Sequence, residues 1–241
     1  MTTANKAGPA PSPYRKTSLV AGILYLLTFV SIPSLALYGP VKEADYILGA
    51  GPDTPAIIAG LSEITVALAG IGTAVVLFPV LKKQNEAASL GLVAARILEA
   101  ATIFVGVAFI LTVVTLRQDG AGPEALVTGN TLVSLYDRIF LLGQSFMPAV
   151  CDLLLGILLY RSRLVPRALS LIGIIGAPVL IAGYLAVMTG LVGQHDGLAV
   201  LSSIFVAVFE LSLGVWLIVK GFNARAMHAL DTKSRAHEAV I

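Results

Sequence analysis

Seven ionisable side chains fall inside long apolar segments of the chain, where a charge is costly and therefore informative. They are Glu63, Arg96, Glu99, Asp137, Arg138, Asp152 and Glu210. Carboxyl and guanidinium groups in such places can hold a ligand or ion, relay a proton, or join helices in a static network. Any chemistry of this chain is therefore expected to lie in these groups.

Depths estimated from a rise of about 1.5 Å per residue sort these groups into two layers. The inner layer, nearer the predicted cytoplasmic ends of the helices, contains Arg96, Glu99, Asp152 and Glu210. We predict that these four side chains converge in one site. Arg96 suits the centre because a planar guanidinium binds two carboxylates at once. Three acids against one base need a proton, a cation or a ligand for neutrality. Glu210 is expected to keep its proton, because its own helix offers no base.

The second layer, which we call the outer layer, lies near the non-cytoplasmic face of the membrane and contains Glu63, Asp137 and Arg138. We predict an ion pair between Glu63 and Arg138 that joins the second membrane helix to the fourth. Arg138, Ser145 and Asp152 are spaced by seven residues, so a regular helix would place them in one polar stripe. Ser145 therefore joins the predicted ligand-binding or charge network.

The elements that must position these groups are membrane-spanning helices. Of the 241 residues, 57% are hydrophobic and 12% are charged, and the mean hydropathy is +0.90. So few charges exclude an ordinary water-soluble domain, and a net charge of +2 gives no basic field for nucleic acid. A membrane helix needs about 20 apolar residues. Six segments qualify, which predicts an all-α integral membrane protein with the lipid bilayer as its partner: 17–38, 57–81, 87–116, 132–160, 168–191 and 198–219.

Basic residues are distributed unevenly over the loops, which predicts the orientation. Only Lys42 and Arg117 lie on one side, and the other side has twelve: Lys6, Arg15, Lys16, Lys82, Lys83, Arg161, Arg163, Arg167, Lys220, Arg225, Lys233 and Arg235. Both termini are therefore expected in the cytoplasm. The predicted organisation is a disordered arm at 1–16, a six-helix membrane domain at 17–220 and a cytoplasmic tail at 221–241. A short amphipathic interfacial helix is expected in that tail.

The first apolar segment has a second interpretation, as a cleaved signal peptide. Arg15 and Lys16 precede it, and Ser34 and Ala36 resemble a small-residue cleavage site. Its apolar run is longer than the usual signal-peptide core, which favours a retained span.

Several membrane chemistries lack the residues that they need. The spans contain no histidine for a bis-histidine haem and no central lysine for a retinal Schiff base. The lone Cys151 excludes an internal disulfide and is interpreted as an inert buried thiol. Hydrolase, zinc-protease and nucleotide-loop motifs do not occur. No cofactor and no metal site are therefore expected, and an intramembrane enzyme is the least favoured class.

Four short stretches resemble one family of membrane proteins. Arg15 with 21–26 is similar to an RxAGLLYL opening, 77–82 to LYPLLR, 95–100 to xRLxEA, and 155–169 to LGYLLYRSGxxPRxLG. Ser170 departs from the glycine usual in that family. The resemblance is to a bacterial multi-helix membrane family of unknown function, catalogued as domain of unknown function 4386. It implies a multi-pass protein of the bacterial plasma (inner) membrane, and it implies no activity.

Two function hypotheses remain open at this stage. The first is a protein that binds or transports a small ligand, an ion or a proton through the buried charges. Pro33, Pro148 and Pro178 favour it, because a proline inside a span leaves a carbonyl free for a ligand or water. The alternative is a non-catalytic scaffold, sensor or accessory subunit that acts through helix contacts. The oligomeric state is left open by the sequence.

Overall fold

The computed structural model describes residues 14–194 and 196–238, and every regular element among them is helical. Six segments are long and apolar enough to cross a membrane: Arg15–Tyr38, Thr54–Leu81, Glu86–Gln118, Pro123–Ser162, Arg167–Met188 and Gly197–Val219. The predicted all-α membrane bundle of six spans is confirmed. The fourth span begins earlier than predicted, because residues 126–131 continue the helix despite the polar side chains of Thr128, Asn130 and Thr131.

The start of the chain differs in detail from the prediction. Residues 1–13 of the predicted disordered arm lie outside the described residues, as does His195. The first helix already begins at Arg15. The guanidinium of Arg15 donates to the backbone carbonyls of Leu217 and Ile218, at the end of the sixth span. A cation is stabilised at such a helix terminus, where carbonyl groups lack partners.

The first span is broken near its middle. Helix α1 (Arg15–Thr28) ends before a one-turn helix α2 (Ser31–Ser34), which continues as a 3₁₀ turn at Leu35–Tyr38. Pro33 lies in α2 and has no backbone N–H for a regular helical ladder. Helix α1 packs on α3 (Thr54–Leu81) and on the sixth span, and the second half of the span packs on α3.

The fourth span is also irregular. Helix α5 (Leu126–Phe140) passes through a π-helical segment (Leu141–Phe146) into α6 (Met147–Ser162). A π-helical turn holds more residues than an α-helical turn, so side chains beyond it are rotated relative to those before it. Such segments are frequent at functional sites.

The remaining spans are continuous helices that close the bundle. They are α4 (Glu86–Gln118), α7 (Arg167–Met188) and α8 (Gly197–Val219). At the contact of α1 with α8, a Cβ atom on Gly22 would lie 2.7 Å from the carbonyl oxygen of Gly214. The missing side chains therefore permit close backbone approach of these two helices.

The two ends of the bundle differ in charge and in covering. We call the end with Arg15, Lys82 and Lys83 the basic face, and the end with the loop 39–53 the acidic face. The loop packs its side chains Val41, Tyr46 and Ile47 into a buried cluster at the acidic face. This loop therefore covers the acidic end of the helices.

The tail forms helix α9 (Ala224–Glu238), which docks on the basic face. Its Met227 and Leu230 are buried, and Asp231 accepts hydrogen bonds from Lys83 at 2.5 Å and from Tyr14 at 3.0 Å. Burial disfavours ionisation of Asp231, but these hydrogen bonds outweigh it and lower the pKa of this carboxyl. The tail is thus a helix that contacts the basic face through buried apolar side chains and through the hydrogen bonds of Asp231.

Candidate functional site

Arg96 lies on α4 and forms the centre of a buried charge cluster. Its Nη1 donates to Oε2 of Glu99 at 2.9 Å, one helical turn away on the same face. Its Nη2 donates to Oε1 of Glu210 on α8 at 2.6 Å. Arg96 is 4% exposed and Glu99 is 7% exposed. The guanidinium therefore binds one carboxylate on its own helix and one on α8, and the second contact joins the two helices.

Asp152 on α6 completes the cluster in an unusual way. It is fully buried, and its Oδ1 lies 3.9 Å from Nη2 of Arg96. Neither Asp152 oxygen has a hydrogen-bond partner among the described residues, and neither has Nε of Arg96. The structure thus brings together the four side chains predicted for the inner layer. The expectation that Glu210 lacks a cationic partner was wrong, because α8 brings Glu210 onto the guanidinium and leaves Asp152 further away.

Neighbouring side chains enclose this cluster from other helices. The ring of Tyr25 on α1 lies 5.8 Å from Cζ of Arg96. Cys151 is fully buried, and its Sγ lies 3.6 Å from Oε2 of Glu99. Among the described residues, no three His, Cys, Asp or Glu side chains are arranged to hold a metal ion. The arrangement is suited to proton or cation exchange, because three carboxyls share one guanidinium away from bulk water.

A cavity of about 580 Å³ connects this cluster with the acidic face. Lys42 and Gln194 lie at its outer end, and Arg96, Glu99 and Glu210 lie at its inner end. Ser145, from the π-helical segment, also lines it. Most of the wall is apolar, and its members include Val66, Ile103, Phe140, Leu141, Leu180 and Val206. The inner charge cluster therefore forms the floor of an apolar cavity.

The outer layer is paired differently from the prediction. Glu63 is 1% exposed, and it accepts hydrogen bonds from Tyr38 at 2.7 Å, from Tyr136 at 3.2 Å and from Gln144. Among the described residues, no ion pair joins Glu63 to Arg138, which is exposed. The predicted Glu63–Arg138 pair is therefore wrong.

The π-helical segment explains this difference. Arg138 precedes the segment and Asp152 follows it. A spacing of seven residues returns to the same face only in a regular α-helix, so the predicted stripe from Arg138 through Ser145 to Asp152 does not form. Arg138 is exposed, whereas Asp152 is buried.

Asp137 finds its partner in the loop that covers the acidic face. Nζ of Lys42 lies 2.7 Å from Oδ1 of Asp137 and 4.8 Å from the centre of the Tyr136 ring. Sequence reasoning missed Lys42, Tyr38, Tyr136 and Gln144 as members of this layer. The one available signal was the need of a buried Glu63 for donors, which neutral tyrosine and glutamine side chains satisfy as well as a base does.

Comparison with known protein families identifies the family of this chain. The family described as "Domain of unknown function (DUF4386)" matches residues 20–221. No curated protein and no solved structure matches the chain.

Proposed function

The chain belongs to the DUF4386 family of unknown function, and we propose that it binds a small solute in the cavity above Arg96 and exchanges it for a proton. The observation that carries this proposal is the cavity itself. Its apolar wall ends on Arg96, Glu99 and Glu210. A concave apolar site with a few convergent polar groups is the usual form of a small-molecule site.

The charge of the floor supports a role for the proton. Arg96 balances one of the three carboxyls Glu99, Asp152 and Glu210, and a buried net charge is expensive. A neutral cluster without a bound cation therefore needs protons on two of the three carboxyls. Binding of a solute at the floor changes this balance, which couples the solute to the proton.

Two irregular helices supply the movement that release on the other side would need. The first span is broken between α1 and α2, the fourth contains the π-helical segment, and both spans line the cavity. Toward the basic face the cavity is sealed by buried side chains that include Leu81, Leu158, Leu164 and Met227. Helix breaks are common hinges in transporters. We therefore extend the proposal to a carrier that opens alternately to the two faces.

The proposed setting is a bacterial plasma membrane with both termini in the cytoplasm. The excess of Lys and Arg at the basic face supports this orientation. Gln194→Cys and Lys233→Cys should react from opposite sides with a membrane-impermeant maleimide, while the buried Cys151 stays unlabelled. Labelling of both from the same side would refute the orientation.

Binding can be tested with three probes that share one apolar body. We expect at least one of 4-phenylbutylamine, 4-phenylbutyrate and 4-phenylbutanol to bind the chain in lipid nanodiscs, measured by titration calorimetry. Ala207→Trp fills the cavity wall and should abolish this binding, whereas Ile204→Trp, on the outside of α8, should not. Failure of all three probes would refute the proposal and favour a scaffold that acts through helix contacts.

A further inference from the structure

The chemistry of the cavity also indicates what the solute is and how it enters. Building on the proposed function, we infer that the solute is an amphiphilic organic cation that enters from the bilayer through a gap between the first and sixth spans. The charge of the floor carries the first half of this inference, and the shape of the wall carries the second.

The floor has a deficit of positive charge. Both terminal nitrogens of Arg96 already donate to carboxylates, one to Glu99 and one to Glu210. Asp152, fully buried, has neither oxygen hydrogen-bonded within the described chain. An anion would add to an existing excess of carboxyls, whereas an ammonium group would supply the missing charge.

The outer end of the cavity does not reverse this preference. Lys42 is the cation there, and Asp137 lies 2.7 Å from its Nζ. An anionic solute would have to compete with that carboxylate. At the floor a cation meets the carboxyl of Glu210, which lines the cavity and is 13% exposed.

The wall between floor and mouth suits a hydrocarbon or aromatic body. The rings of Phe146 and Tyr184 pack against each other with their centres 5.1 Å apart and their planes tilted by 47°, and Tyr184 lines the cavity. Apolar side chains from α3, α4, α7 and α8 form much of the remaining wall. Transfer of apolar surface into such a cavity is favourable. The solute is therefore expected to combine a charged end with an apolar end.

The broken first span creates the lateral entrance. Helix α1 packs closely on α8, but α2 and the turn after it pack on α3. Ile32 and Ala36 line the cavity on one side of the resulting gap, and Val200 and Ser203 line it on the other. These four residues are also exposed, Ile32 to 58% and Val200 to 57%. The cavity wall therefore continues onto a surface that faces lipid.

Exchange with the proton follows from the groups that face the floor. They are Tyr25 from α1, Arg96 and Glu99 from α4, Cys151 and Asp152 from α6, and Glu210 from α8. One ammonium group enters and one carboxyl proton leaves to water, so charge is conserved. Affinity for the amine should therefore rise with pH between about pH 5 and 8, where the amine itself stays charged.

The probe set separates this inference from the proposed function. We expect 4-phenylbutylamine to bind more tightly than 4-phenylbutanol, and 4-phenylbutyrate to bind least. Glu210→Gln should lower the binding affinity for 4-phenylbutylamine by at least about tenfold, which corresponds to the loss of one charge-assisted hydrogen bond. The exposed Glu86→Gln should leave it unchanged. The inference that the solute is a cation would be overturned if the butyrate or the alcohol bound most tightly, or if the affinity for the amine did not rise with pH. Binding in the cavity itself would still stand in either case.

The route of entry needs its own measurement. Ser203→Trp narrows the lateral gap, and Gln194→Trp narrows the mouth at the acidic face. We expect Ser203→Trp to slow association of 4-phenylbutylamine several-fold in stopped-flow experiments, and Gln194→Trp and the outward-facing Ile204→Trp to leave the rate unchanged. An unchanged rate in Ser203→Trp, or a slower rate in Gln194→Trp, would overturn entry from the bilayer.

Discussion

Oδ1 of Asp152 lies 3.9 Å from Nη2 of Arg96, close enough for an ion pair and too far for a hydrogen bond. The guanidinium is drawn instead to Glu99 and Glu210, at 2.9 and 2.6 Å. A fully buried aspartate with no hydrogen bond is expensive for a static network to keep. This relationship favours a site that changes its protonation or its occupant over one that only fixes helices.

Removal of the shared cation should be far more costly than removal of Asp152, which makes only the 3.9 Å contact with it. Arg96→Ala leaves three buried carboxyls without a base and should lower the free energy of unfolding by about 3 to 5 kcal/mol. Asp152→Asn removes an ion-pair contact at 3.9 Å but no hydrogen bond among the described residues, so it should lower stability by less than Arg96→Ala does. Unfolding by sodium dodecyl sulfate in mixed micelles measures both. Equal losses would contradict the view that Asp152 contributes less than Arg96 to the stability of the fold.

The hydrogen bonds around Glu63 should contribute to stability where Arg138 does not. Tyr38→Phe removes the 2.7 Å hydrogen bond to the buried Glu63 and should cost about 1.5 to 3 kcal/mol. Arg138→Gln changes an exposed side chain and should stay within about 0.5 kcal/mol. The same micelle titration distinguishes them. A large loss in Arg138→Gln would restore the ion pair predicted from sequence.

The six spans and the four residues of the inner charge cluster could be predicted from the sequence alone. Hydropathy finds six spans because the thickness of the bilayer sets the length of each apolar run. Depth matching finds Arg96, Glu99, Asp152 and Glu210 because the rise per residue is nearly the same in every helix. Both arguments use position along a helix axis, which small irregularities hardly change.

The predictions that failed needed rotation about that axis or contacts between distant segments. The π-helical segment at Leu141–Phe146 rotates Arg138 away from the face of Asp152. No residue type in the sequence predicts such a segment. Pro33 predicts a disturbance in the first span, but the direction in which α2 leans depends on its packing on α3. Lys42 reaches Asp137 through the fold of the loop 39–53, which hydropathy does not describe.

Close approach of the first and sixth spans should depend on Gly22. A Cβ atom there would lie 2.7 Å from the Gly214 carbonyl oxygen and 2.7 Å from Cγ1 of Ile218. Gly22→Ala should therefore force the helices apart and cost about 1 to 3 kcal/mol. Gly91→Ala on α4 is the matched control, since its nearest neighbour would be at an ordinary 3.8 Å. Equal stability of the two variants in mixed micelles would show that the contact yields easily.

Covering of the acidic face by the loop 39–53 should depend on pH through Asp53. Oδ1 of Asp53 accepts a hydrogen bond from Tyr46 at 2.7 Å, Oδ2 accepts one from Gln118 at 2.9 Å, and Arg117 pairs with the same carboxylate. Burial disfavours the Asp53 anion, but these partners outweigh it and hold the pKa below its ordinary value of 3.8. Because the folded pKa is lowered, this stabilisation is complete above the ordinary pKa of 3.8. It is lost as pH falls through the folded pKa.

The loop should therefore become mobile only in acid, at pH values below about 3.8. A spin label on Ala44→Cys reports this as a narrower spectrum, and the buried Cys151 adds no second label. Asp53→Asn should give the mobile spectrum at neutral pH and abolish the acid transition, because the amide cannot ionise. The exposed Asp45→Asn should keep the transition. Retention of the transition in Asp53→Asn would assign it to another acid and separate the loop from this carboxylate.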